Sequence, residues 1–421
     1  MHPETTHPRR QFLQGTAALG LAALATGCAS LGSSAKARVV VVGGGWGGLG
    51  AVRALAEGGQ VQVTLVEPNE SFMSCPLSAH FIAGWQPATD FQRSYANIDR
   101  LAGVRRVRER VLELDRAKAE VVTATQRIGY DFLVLSPGIE YMEEAIAGYA
   151  EARSQLPVGF RAFEQAAVKR EVDAFLVNGG HFVISAPKPP YRCPPAPYER
   201  AFMIAEQMQK RGTKGKIIIV DANPAPTPPP IATPILNAMK SVYAAQIEYM
   251  PSVDIKAVDM GKRALLTSEG DIPFQHANLV LPMRANALVR QAGLGERWAA
   301  VQLPSFRSQA DAKVYVIGDA QGSPLPKSGH VAFNAGKQVG EEILERVAGK
   351  VVAAPTGPVD LPLGICWANV THDTAININV ASSMEPGQAP KLKFSVGPQH
   401  NVRSGSGAMS WGNGMWKAML G

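Results

Sequence analysis

The sequence predicts an α/β fold with two Rossmann-like domains and a small C-terminal α+β domain. Three observations carry that expectation. An apolar strand at 39–42 runs into Gly43-x-Gly45-x-x-Gly48 and then a helical stretch. Far downstream, a strand at 314–317 ends on Gly318-Asp319, and a helix over 331–347 follows. Between them, apolar strands at 181–186 and 216–221 mark a second unit of alternating strand and helix, the pattern of parallel sheets. Beyond Gly349 the composition shifts to short strand-like pieces with Gly, Asn and Trp, which defines the third unit. The expected domains are 36–150 with 272–348, then 151–271, then 349–421, preceded by a segment 1–35 of different character.

That first segment reads as an export signal. Arg9 and Arg10 precede QFLQ, and residues 15–27 are apolar and alanine-rich. A basic stretch before a short, weakly hydrophobic one is the twin-arginine pattern, which implies a periplasmic protein exported already folded. The apolar stretch is too short to span a bilayer, where about 20 residues are needed. Cys28, in ATGCAS, is a candidate for lipid attachment. The net charge of +7 comes without a basic run interleaved with aromatics, so nucleic acid is not an expected partner.

The first glycine turn has a definite chemistry. Gly43 permits a tight turn, Gly45 lets the backbone approach a diphosphate, and Gly48 allows the helix to pack against the strand. A second strand at 61–66 ends on Glu67, placed to bond ribose hydroxyls. The strand before Gly318-Asp319 resembles the second FAD fingerprint of flavoproteins with two dinucleotide domains, in which the aspartate binds the ribityl chain. Ser136-Pro137-Gly138 resembles the motif that lies between the two fingerprints. FAD is therefore the expected cofactor.

The second unit departs from that scheme. After HFVISAP, where a glycine loop would cradle a nicotinamide nucleotide, stands PKPPYRCPPAP. Proline has no N–H to offer phosphate, and its ring blocks close approach. NAD(P)H is thus not an expected ligand, and the turn presents a thiol instead. Without Cys28, three cysteines remain, Cys75, Cys193 and Cys366, an odd number for an exported chain. A pair with a third consumed otherwise, or three inert buried thiols, are both open. No CxxC and no clustered histidine occurs, so no metal site is expected.

ESFMSCPLSAHFIAG, RCPPAPYERA, LPKSG and LGICWANV, in this order, resemble the flavoprotein subunit of flavocytochrome c sulfide dehydrogenase, a relative of the sulfide:quinone oxidoreductases. The resemblance extends over essentially the whole chain and implies a fold of the FAD-dependent disulfide-reductase type. It implies that Cys75 is joined covalently to FAD, and that Cys193 and Cys366 form a redox-active disulfide. It further implies that Glu199 moves protons near that disulfide, that Lys327 lies by the flavin's pyrimidine edge, and that Val111 belongs with the flavin contacts. Pro76, after Cys75, departs from the family pattern, as does the proline-rich loop at 224–234. The implied activity is oxidation of sulfide to sulfur or polysulfide. Electrons would pass to a c-type cytochrome on a separate chain, since no CxxCH occurs here. The rival readings are a sulfide:quinone oxidoreductase, with residues 411–419 as a membrane-inserting tail, and a non-enzymatic accessory flavoprotein.

Overall fold

The computed structural model describes residues 36–421. The twin-arginine segment and Cys28 lie outside the described residues. The first sheet is seeded by β1 (Ala37–Val42), whose valines at 39–42 are buried on both faces, as a central parallel strand requires. Helix α1 (Trp46–Gly58) crosses back to β2 (Val61–Val66), which pairs with β1 in register from Ala37–Val61 to Val42–Val66. β3 (Val104–Val107) extends one side and β4 (Phe132–Leu135) the other.

The second sheet is parallel throughout. β5 (Gly180–Ala186) leads through α2 (Ala196–Arg211) to β6 (Gly215–Asp221), and β7 (Ile247–Met250) follows on the outside. Its fourth strand is β8 (His276–Asn278), beside β5. The apolar run at 279–281 is a buried connection following β8. Sheet membership therefore carries the second domain past Asp271, because strand pairing across space outweighs the local apolar pattern. The proline-rich stretch also ends earlier than expected, since a helix begins at Ala232 and accommodates Pro234 in its first turn.

The chain then re-enters the first sheet through β9 (Val301–Gln302), β10 (Arg307–Ser308) and β11 (Val314–Val316). Seven strands result, in the order β9-β10-β11-β4-β1-β2-β3. Helix α3 (Gly329–Val347) packs along α1. A Cβ on Gly336 would lie 2.0 Å from the Gly47 carbonyl oxygen, so the two helices cross at backbone distance.

The C-terminal unit is built from longer pieces than its composition suggested. β12 (Val359–Asn369), β13 (Ala375–Met384) and β14 (Lys391–Val396) form an antiparallel meander, closed by helix α4 (Val402–Leu420). Trp416, Met419 and Leu420 of α4 are buried in the core of the first domain with Leu77 and Phe91. The terminal helix is thus packed down on the molecule. Among the described residues no helix is long and apolar enough to cross a membrane.

Candidate active site

The first glycine turn is explained by its contacts. Gly43 has φ +97°, and a Cβ there would lie 2.3 Å from the Ser136 carbonyl oxygen. A Cβ on Gly48 would lie 1.8 Å from the Gly43 oxygen, so α1 approaches β1 only with glycine at that position. Gly45 differs. Nothing lies within 4 Å of its Cβ position, and that space opens into a groove of about 710 Å³. Gly43, Glu67, Cys75, Val111, Gly318 and Asp319 also line the groove, which runs past the N-terminus of α1. An open backbone at a helix N-terminus, within a long cleft, fits the diphosphate of a dinucleotide such as FAD.

Glu67 does more than face the groove. Its Oε2 accepts the Gly44 N–H at 2.7 Å, and its Oε1 accepts the Asn69 backbone and side-chain N–H groups at 2.8 and 2.6 Å. The carboxylate therefore holds the glycine turn in shape. At the other end, Gly318 takes φ +67° and Asp319 follows, paired through Oδ2 with Arg192 Nε at 3.1 Å.

A second cavity, of about 50 Å³, adjoins the groove, and Cys75, Arg192, Ser328 and Gly329 line both. Into it converge Cys193 from the loop before α2, Glu199 from the first turns of α2, Lys327 from the residues before α3, and Cys366 from β12. Cys193 is held at φ +51°, a left-handed conformation uncommon outside glycine. Two bonds fix it there: its N–H donates to the Lys327 carbonyl at 3.0 Å, and its own carbonyl accepts the Ala196 N–H at 2.9 Å. Cys193 and Cys366 are both free thiols lining this cavity, and Cys366 Sγ donates to the Trp367 carbonyl at 3.7 Å. The neighbouring Cys366, burial and the Glu199 charge push the Cys193 thiol well up, while Arg192 pulls against them.

Cys75 sits on the boundary between groove and cavity. Its Sγ accepts from Gln165 Nε2 at 2.9 Å and donates to the Phe160 carbonyl at 3.5 Å. Burial pushes its thiol up, with Arg192 and Arg200 opposing. Glu199 is 6% exposed, and Oε1 accepts the Asn369 N–H at 3.0 Å. Burial raises its carboxyl to about 7, although the Asn369 bond and Arg200 draw it down. Lys327 is 4% exposed, and its Nζ donates to the Asp319 and Gln321 carbonyls at 3.0 and 2.6 Å. The ammonium lies 3.7 Å from the centroid of the Trp298 ring, and burial lowers it to about 8. Lys327 lines the dithiol cavity, whereas its neighbours Ser328 and Gly329 line the groove as well.

Sequence reading missed several residues here. Arg192 stands beside Cys193 in the quoted turn, and that adjacency was the available signal. Arg200 donates to the Val158 and Gly159 carbonyls at 2.9 and 2.6 Å and to Asn278 Oδ1 at 2.7 Å. Gln165, His330 and Trp411 carried no local signal at all. In the second domain, Asp221 ends β6 much as Glu67 follows β2, but it is fully buried. Its carboxylate accepts from Tyr198 at 2.6 Å, Tyr249 at 2.9 Å, and the Asn223 backbone and side-chain N–H groups at 2.8 Å.

The sequence matches the family described as "Sulfide dehydrogenase [flavocytochrome c] flavoprotein chain, central" over residues 166–281. It matches "Pyridine nucleotide-disulphide oxidoreductase" over residues 37–180. The fold is similar to that of the sulfide:quinone oxidoreductase from the hyperthermophilic bacterium Aquifex aeolicus. That match has a TM-score of 0.76 at 18% identity and covers 91% of each chain. It is also similar to a NAD-dependent persulfide reductase from A. fulgidus, with a TM-score of 0.62 at 16% identity, covering 90% of this chain and 77% of that one. The central part of the chain, residues 166–281, thus carries the pattern of flavocytochrome c sulfide dehydrogenase flavoprotein chains, and the chain as a whole has the fold of the FAD-dependent pyridine nucleotide-disulphide oxidoreductases.

Proposed function

We propose that this chain is an exported FAD enzyme that oxidises sulfide to sulfur or polysulfide through a Cys193–Cys366 disulfide. It passes the electrons to a c-type cytochrome on a separate chain. The observation that carries this reading is the convergence of Cys75, Cys193, Cys366, Glu199 and Lys327 on one small cavity adjoining a dinucleotide-sized groove. The groove residues Gly43, Gly45, Glu67, Val111, Gly318 and Asp319 would hold FAD, and Cys75 would tether it covalently. When bound, FAD supplies a two-electron acceptor that releases electrons singly, which suits a haem partner.

The chain's own residues do the rest. Hydrosulfide is a soft nucleophile that attacks one sulfur of the oxidised pair, forming a persulfide while the other sulfur leaves as thiolate. Oxidation of hydrosulfide to zero-valent sulfur releases one proton and two electrons, and Glu199, a buried carboxylate poised near neutrality, takes the proton. Lys327 and Arg192 keep the cavity positive toward an entering anion. The capped, buried Asp221 and the proline-rich turn support an enzyme that does not use NAD(P)H. The Arg9-Arg10 segment supports a periplasmic location.

The test is the visible spectrum of the purified protein before and after sulfide, with and without acid precipitation. Flavin that stays in the acid pellet and bleaches with sulfide is the expected result. Flavin indifferent to sulfide would overturn the enzyme reading in favour of an accessory subunit. Re-oxidation of the bleached flavin by a short-chain quinone but not by cytochrome c would move the acceptor assignment to quinone.

A further inference from the structure

Beyond its share in the positive charge of the cavity, Arg192 stands apart as the one charged residue, among the described residues, that lines both groove and cavity. Its side chain is 19% exposed. Its guanidinium is fixed at two points: Nε pairs with Asp319 at 3.1 Å, and Nη1 donates to the Phe160 carbonyl at 2.6 Å. The same carbonyl accepts from Cys75 Sγ. The backbone of Arg192 runs directly into Cys193, whose left-handed turn is locked by Lys327 and Ala196. Burial works against the guanidinium charge, but Cys75, Asp319 and Cys193 hold it firmly protonated.

The other cations are differently committed. Lys327 is spent on two carbonyls and the Trp298 face, and Arg200 on two carbonyls and Asn278. Arg192 draws the Cys193 thiol down, against Cys366 and Glu199, and Arg200 is coupled to the same thiol from its fixed position.

We propose that Arg192 is the catalytic cation of the dithiol: it stabilises the thiolate that Cys193 becomes as leaving group. This rests on the reading of Cys193 and Cys366 as the redox pair. In the step it governs, hydrosulfide attacks Cys366 Sγ, the new S–S bond forms there, and the Cys193–Cys366 bond breaks. The bond pair goes to Cys193 and the proton stays on the persulfide's outer sulfur. One anion enters and one anion results, so no charge is created. The cost lies in burying that charge on Cys193, and a fixed guanidinium lowers it. A leaving thiol of lower pKa departs faster, so Arg192 also sets which sulfur leaves.

The ion pair to Asp319 adds a second consequence. Asp319 partly neutralises Arg192, so weakening that pair strengthens the pull of Arg192 on Cys193. The groups that face Cys193 are Cys75 and Tyr191 beside it, Glu199 and Arg200 on α2, Lys327 before α3, His330 on α3 and Cys366 on β12. A variant that leaves these seven in place reads Arg192 alone.

The experiment is the rate of iodoacetamide alkylation of Cys193 against pH in the reduced protein. Peptide mass spectrometry separates Cys193 from Cys75 and Cys366, and the readout needs neither sulfide nor turnover. An opposite charge at contact range shifts a thiol by about one unit or more. Arg192→Met is therefore expected to slow Cys193 alkylation at pH 7 by about tenfold or more and to move the profile to higher pH. Arg192→Lys should recover part of the rate, because it keeps the charge without the fork. Asp319→Asn, in protein with unchanged circular dichroism, should shift the profile the other way. Superimposable Cys193 profiles for the wild type and Arg192→Met, in proteins with unchanged circular dichroism, would overturn the proposal. If the wild-type flavin fails to bleach with sulfide, the enzyme reading falls separately, and the alkylation result still reports on Arg192.

Discussion

Replacing Glu199 by glutamine should make the protein more stable above neutrality and slower in its chemistry. Glu199 is 6% exposed in the wall of the dithiol cavity, and burial raises its carboxyl from about 4.5 to about 7. A carboxyl raised in the folded state contributes stability in its protonated form. That contribution is fully present below the unfolded pKa and is lost as pH rises through 7. One pKa unit is about 1.4 kcal/mol, so between pH 5 and pH 8 this side chain alone lowers stability by about 2.5 kcal/mol. Glutamine is nearly isosteric and does not ionise, and its carbonyl still accepts the Asn369 N–H. Urea melts at pH 5 and pH 8 should therefore show Glu199→Gln close to wild type at the lower pH and more stable by about 2 kcal/mol at the higher. In parallel, single-turnover bleaching by sulfide should fall by about 10²-fold or more and lose its inflection near pH 7. An equal stability difference at both pH values would refute the assignment of a neutral-range carboxyl. An unchanged rate profile would refute its role as proton acceptor.

Other substitutions test separate parts of the structure. Gly48→Ala should cost more than about 4 kcal/mol, because its Cβ would overlap the Gly43 oxygen, and melting checks this. Gly45→Ala should cost under about 1 kcal/mol yet deplete flavin, since its Cβ points into open groove, and absorbance per protein is the measurement. Cys366→Ser should retain flavin and lose bleaching by sulfide, whereas Cys75→Ala should release flavin on acid precipitation, as spectra of pellet and supernatant would record. Trp416→Ala should destabilise by about 3–5 kcal/mol, because that ring is 3% exposed, edge-on to Phe91 at 6.0 Å and capped by Arg93 at 4.6 Å. A loose terminal tail would leave the melting point unmoved.

Much of the fold was legible because the signals were local. Gly43, Gly45 and Gly48 announce a turn whose geometry depends on neighbours a few residues away, and the valines at 39–42 announce a strand buried on both faces. A short apolar run such as 279–281 looks alike as strand or buried connection, and only the pairing of the residues before it with β5 decides where the strand lies. The cysteines were legible as candidates through the resemblance their flanking motifs carry.

By itself, the sequence determined the two glycine turns, the loss of a glycine loop after β5, and the identity of the three thiols. Those properties follow from backbone freedom, from N–H groups present or missing, and from residue type, all of which belong to the chain before it folds. Only the tertiary structure decided that Cys75, Cys193 and Cys366, each more than a hundred residues from the next, meet in one cavity. It alone decided that Glu199 titrates near neutrality, that Arg192 bridges groove and cavity, and that α4 packs down on the first domain. Burial and Coulomb fields depend on distance through space, and sequence separation does not report that distance.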